Sequence, residues 1–313
     1  MFPARAHTAD TPIPCENSER LQGARARSVD MRRTGQSAIR PWLWFNLLSL
    51  DAPLVAILWQ ALFAKEMDAP IHGPAFAALG LSVWFIYVSD RLLDALHQYG
   101  CRATRHRFYQ RNWVIFSGAA VVVLFALGVV CARLDPLVFR NGLILVAAVV
   151  AYFVLVHFVA DAARRVWPKE LAVAVLFAIG TALATWSRTG LSHRFMILPI
   201  ILFATLCWLN CTAVEYWEWK DDRSGNSPSP HPVTLWLGSN LHAISFGIVL
   251  CGTVAFCWFP ARLQLILAAS LVSAATLFCL DRNRERFSAD AQRVLVDVTL
   301  LSPALFILIK PGS

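Results

Sequence analysis

The chain has 313 residues, 57% of them hydrophobic and only 15% charged, with 12 Trp and 20 Phe, which leaves too little polar surface to clothe a water-soluble globule of this size. The formal net charge of +8 would suit a nucleic-acid partner. The basic residues instead alternate between successive apolar runs, so they read as a membrane-topology signal and set nucleic acid aside.

Residues 1–40 form a basic tail rich in Arg, Ser, Thr and Pro, a composition that predicts disorder, and they contain no apolar stretch of signal-peptide length. Met31, followed by Arg32 and Arg33, would also serve as a start of translation. Residues 41–313 read as one all-α transmembrane domain. Apolar runs long enough to cross a hydrocarbon core of roughly 30 Å recur over 42–64, 74–94, 112–132, 139–160, 169–187, 195–214, 235–259, 263–280 and 293–310. This predicts about nine spans in a polytopic helical bundle.

Placing the N-terminus in the cytoplasm puts 21 Lys and Arg on the inner side. Seven lie in the tail; the others are Arg91, Arg102, Arg105, Arg107, Arg111, Arg164, Arg165, Lys169, Lys220, Arg223, Arg282, Arg284, Arg286 and Arg293. The outer side keeps seven: Lys65, Arg133, Arg140, Arg188, Arg194, Arg262 and Lys310. The imbalance predicts N-terminus inside and, with nine spans, C-terminus outside, in a cell inner membrane. The eight cysteines are scattered through apolar runs without disulfide-framework spacing. Cys207 and Cys211, four apart on one helix, read as packing residues rather than as a metal pair.

Carboxylates near a bilayer are costly and therefore mark candidate sites. At the inner end of the second run, Asp90 and Asp94 in Ser89-Asp90-Arg91-Leu92-Leu93-Asp94 lie one helical turn apart, where they either share a divalent cation or simply mark the membrane boundary. At the inner end of the sixth run, Glu215, Glu218 and Asp222 fall on one helical stripe. Like charges in a row need a cationic partner. Lys220 and Arg223 project elsewhere on that helix, so a divalent ion is one answer and solvation by cytosol the other. Asp51 and Asp297 sit within apolar runs and either line a cavity or pair with a polar group on a neighbouring helix. Asn210 either orients a metal or phosphate or bonds to another helix. His97, His106 and His231 lie in polar segments and read as solvated.

These residues resemble the UbiA superfamily of intramembrane prenyltransferases, whose members have nine transmembrane helices, a cytoplasmic N-terminus and two Asp-rich motifs on the cytoplasmic side. Asp90-Arg91-Leu92-Leu93-Asp94 looks like the DRxxD half of the family's NDxxDRxxD. Glu215-xx-Glu218-xxx-Asp222-Arg223, followed by Leu237-Gly238, has the spacing of its DxxDxxxD. Trp167-Pro168-Lys169 looks like a variant of the family's Tyr-Pro and Lys before the fifth helix. The likeness runs from about Arg40 onward. Two departures stand out: Ile86 and Tyr87 replace the opening Asn-Asp of the first motif, and the proline-rich loop Ser224 to Pro232 replaces a short turn.

The resemblance implies Mg2+-dependent transfer of a prenyl group from a polyprenyl diphosphate to an aromatic or other lipophilic acceptor. Asp90, Asp94, Glu215, Glu218 and Asp222 would hold magnesium, with Asp90, Asp94, Glu218 and Asp222 essential to catalysis. Arg91, Lys169, Arg223 and Asn210 would meet the diphosphate. Trp84, Tyr87, Tyr216 or Trp217 would steady the allylic cation or, as aromatics near span ends often do, mark the interface. Two rival readings are a non-catalytic isoprenoid-binding relative, suggested by the missing Asn-Asp pair, and an ion- or proton-coupled transporter.

Overall fold

The computed structural model describes residues 43–97, 104–158, 168–189, 193–221, 229–258 and 263–308. Compact units divide at Trp44/Phe45, and the fold discussed is that of the larger, from Phe45 onward. Every regular element among the described residues is helical. In chain order they are α1 (Leu43–Leu47), α2 (Asp51–Glu66), α3 (Gly73–His97), α4 (Thr104–Arg111), α5 (Trp113–Cys131), α6 (Pro136–Phe158), α7 (Lys169–Arg188), α8 (His193–Asp221), α9 (Pro232–Ser239), α10 (Leu241–Trp258), α11 (Gln264–Asn283) and α12 (Ala289–Thr299). Short 3₁₀ turns follow α11 and α12.

Six of these helices, α3, α5, α6, α7, α8 and α11, are long and apolar enough to cross a membrane. The pair α9 and α10 makes a seventh span if it counts as one, bent by 69°. The bend falls at Asn240, whose side-chain amide donates to Trp236 O at 2.9 Å, so a carbonyl released from the helical ladder is satisfied locally.

The expected first and ninth spans take a different form from the continuous helices that hydropathy predicts. Ser49 has φ of 56°, a left-handed backbone that disfavours non-glycine residues by about 1–2 kcal/mol, and this turn separates α1 from the 16-residue α2. Hydrogen bonds hold the turn: Ser49 N to Asn46 O and Leu50 N to Phe45 O, with Ser49 Oγ against Tyr109 Oη at 2.8 Å. Asp51 therefore lies in the first turn of α2, where the helix dipole favours a carboxylate, and not within a continuous span. At the other end, α12 stops after 11 residues and the chain turns through Ser302–Leu305.

The core joins α2, α7, α8, α11 and α12. On α7, Ala174, Ala178 and Ala182 are buried at intervals of one helical turn, the small-residue stripe that lets membrane helices approach closely. Trp59 fills the middle: fully buried, it stacks on Phe203 with ring centroids 4.4 Å apart and donates from Nε1 to Leu300 O at 2.9 Å. Outside this core, α5 packs on α3 and α6 on α7, and both present Val121, Phe125, Ile144 and other large apolar side chains outward. Such a surface is stable only against lipid.

Candidate functional site

The end of the bundle where α3 and α8 finish and α2, α7 and α9 begin carries most of the side chains singled out above. Two groups form there.

The first is centred on Asn46, in the turn before α2. Its Nδ2 donates to Asp51 Oδ2 at 2.6 Å and to Asp297 Oδ2 at 3.3 Å, so one amide spans two carboxylates from helices far apart in sequence. Asp51 Oδ1 also accepts from Ala52 N at 3.0 Å. The backbone oxygen of the same Asn46 accepts from Arg91 Nη1 at 2.7 Å. Arg91 is buried and lies 5.7 Å from the Tyr109 ring centroid, within the range of a cation–π contact. Of the alternatives for Asp51 and Asp297, the structure shows pairing with a polar group.

The second group joins α7, α8, α9 and α12. Lys169 Nζ lies 3.2 Å from Glu215 Oε2. Arg293 Nε donates to Glu218 Oε1 at 2.5 Å, while its Nη1 lies 3.7 Å from Asp290. Beside them, Thr234 Oγ1 donates to a buried Glu170 at 3.0 Å. Glu215 and Glu218 are thus compensated by cations from other helices, a solution invisible to an argument confined to one helical stripe. The side chains of Lys169, Glu215 and Glu218 remain a third to a half exposed, and that of Arg293 is 14% exposed.

Asp297, which meets Asn46 in the first group, and Arg293, which meets Glu218 in the second, lie one turn apart on α12.

The remaining residues fall as follows. Asp90 is half-buried near the end of α3. Asp94 lies on the same helix, with its side chain outside the described residues, as are Asp222 and Arg223. Asn210 donates to Val296 O at 2.7 Å, so it ties α8 to α12. His231 is half-buried, and its Nδ1 accepts from Val233 N at 3.2 Å in an exposed bond that caps α9. Trp84 donates to Leu48 O and buried Trp217 to Asp281. Neither Asn46 nor Arg293 belongs to the acidic motifs; the signal for Asn46 was an amide inside an apolar run, five residues before a carboxylate.

Asp90, Glu215 and Glu218 offer only hard oxygen donors, which suit magnesium. No three potential ligands converge on one point among the described residues, so the fit is one of donor chemistry. No model of a known protein family matches the chain, and neither does any curated protein or solved structure.

Proposed function

We propose that the chain is an intramembrane prenyltransferase of the UbiA kind, transferring a prenyl group from a polyprenyl diphosphate to an aromatic or other lipophilic acceptor at the cytoplasmic face. The observation that carries this reading is the meeting of Lys169, Glu215, Glu218 and Arg293 at the ends of three helices, partly exposed at the boundary of an apolar bundle. A diphosphate attached to a hydrocarbon tail needs that combination of charge and adjoining apolar surface. Asp90, Asp94, Glu215, Glu218 and Asp222 would hold Mg2+, which when bound neutralises charge on the leaving diphosphate. Lys169 and Arg293 would donate to phosphate oxygens, with Arg223 assisting. Arg91, buried against Asn46 O, is a positioning residue that fixes the end of α3. Asn210 plays the same part between α8 and α12.

The test is magnesium-dependent release of diphosphate from short allylic diphosphates by the purified full chain, comparing wild type with Asp94→Ala and Glu218→Ala. Release abolished by both substitutions is the expected result. A second reading, a non-catalytic isoprenoid-diphosphate binder, draws on the pairing of Glu215 and Glu218 with basic side chains; it predicts binding without release. Absence of magnesium-dependent binding would sink both and leave an ion- or proton-coupled transporter built on Asp51 and Asp297.

A further inference from the structure

At the opposite end of the bundle, the start of α3, the α5–α6 loop and the end of α7 border a shallow, open cleft. Its lining includes His72, Arg133, Asp135, Val138, Ala184 and Arg188. The charges in it are not balanced. Asp135 is fully engaged: Oδ1 accepts from Leu137 N at 2.9 Å and caps α6, and Oδ2 faces Arg188 Nη2 at 3.2 Å. Arg133 has its backbone fixed by Arg133 N to Val130 O at 2.9 Å, but its guanidinium makes no hydrogen bond or ion pair among the described residues. Arg133 and His72 are both exposed at the cleft, so the guanidinium is open to an anion from outside the chain.

The surroundings narrow the class of anion that fits. Val129, Leu137 and Phe139, which lie within four residues of the lining residues Arg133 and Val138 in sequence, are exposed large apolar side chains of α5 and α6, a surface for acyl chains. A guanidinium binds phosphate oxygens through a planar fork, and basic pockets between transmembrane helices suit lipid headgroups. We propose that this cleft binds the phosphodiester headgroup of a membrane phospholipid, anchored by Arg133. The site is some 30 Å from the acidic end, the length of a 20-residue helix, and it does not depend on the prenyltransferase reading.

The experiment titrates the delipidated full chain with phosphatidylglycerol, diacylglycerol or inorganic phosphate and counts bound molecules by native mass spectrometry. Wild type is compared with Arg133→Gln and with Arg140→Gln, the latter on α6 but outside the cleft lining. Saturable phosphatidylglycerol binding, weakened roughly tenfold by Arg133→Gln through loss of charge-assisted hydrogen bonds and unchanged by Arg140→Gln, is the expected result. Equal affinity of wild type and Arg133→Gln overturns the proposal. So does equal loss in both variants, which would mean diffuse charge attraction, or equal binding of diacylglycerol. Displacement by inorganic phosphate at lipid-like concentrations assigns the cleft to a free anion and overturns the lipid. Should Arg133→Gln lose helix content by circular dichroism, modification of wild type by phenylglyoxal decides instead: phosphatidylglycerol must protect Arg133 from reaction, and unprotected Arg133 refutes the site.

Discussion

The α5–α6 hairpin and the group α7, α8 and α11 are all apolar enough to span a bilayer, yet they differ in what they touch. Along their most apolar stretches only 11% of α5 and 6% of α6 is buried, against 39% for α7 and 44% each for α8 and α11. Lipid is as apolar as leucine, so a hydrophobic side chain gains little by leaving it, and helices pair where small residues permit close contact or where polar groups find partners. The alanine stripe of α7 and the hydrogen bond of Asn210 belong to the buried group. The hairpin presents mainly Val, Leu, Ile and Phe. Hydropathy locates the membrane; polarity and side-chain size locate the core.

If that contrast is right, substitutions in the two regions must differ in cost. The largest effect is expected for Asn46→Leu, which strips Asp51 and Asp297 of their shared donor and should destabilise the bundle by about 3 kcal/mol, the upper end for losing a hydrogen bond to a charged group. Thermal unfolding in detergent measures it, and a variant as stable as wild type would show that the carboxylates have other means of compensation.

Next comes Gly238→Ala. A Cβ there would stand 2.3 Å from Tyr216 Cγ, so α9 must shift from α8 at a cost of about 2 kcal/mol. An unchanged melting temperature would mean that Tyr216 moves freely and that α9 is loosely held.

Smaller and dependent on pH is the effect of Glu66→Gln. Glu66 closes α2, beyond the first apolar run, and accepts from Leu265 N at 3.2 Å. Burial raises its carboxyl above the ordinary 4.5, against lowering contributions from that hydrogen bond and Lys65. The folded state then holds the proton more tightly than the unfolded chain, so stability is full below pH 4.5 and declines as pH rises through the folded-state value. Glutamine cannot ionise, and its stability relative to wild type should increase over that interval. Parallel pH profiles for the two proteins would refute the assignment.

The smallest effect, of opposite sign, is expected in the hairpin: Gly128→Ala on α5 meets nothing within 4 Å and should stabilise by about 0.5 kcal/mol through helix propensity and a less flexible unfolded chain. Destabilisation comparable with that of Gly238→Ala would mean that α5 is packed against an additional surface.

The sequence was a good guide to the uninterrupted helices. Each of the six long helices falls on an expected run, because some 20 apolar residues between polar breaks have few other stable arrangements in a bilayer. It was a poorer guide where a run contains a turn. The sequence around Asn46 to Asp51 is apolar enough to read as helix, and only the Ser49 turn, held in part by Tyr109, separates α1 from α2.

For the candidate site, the sequence by itself determined the all-helical membrane character and the spacing of carboxylates along α3 and α8, since both follow from composition and the 3.6-residue helical period. Which groups meet those carboxylates was decided by tertiary structure. Lys169 reaches Glu215 across 46 positions, Arg293 reaches Glu218 across 75 and Asn46 reaches Asp297 across 251. Charge compensation acts through space over a few ångströms, so a carboxylate finds its partner on whichever helix packs beside it.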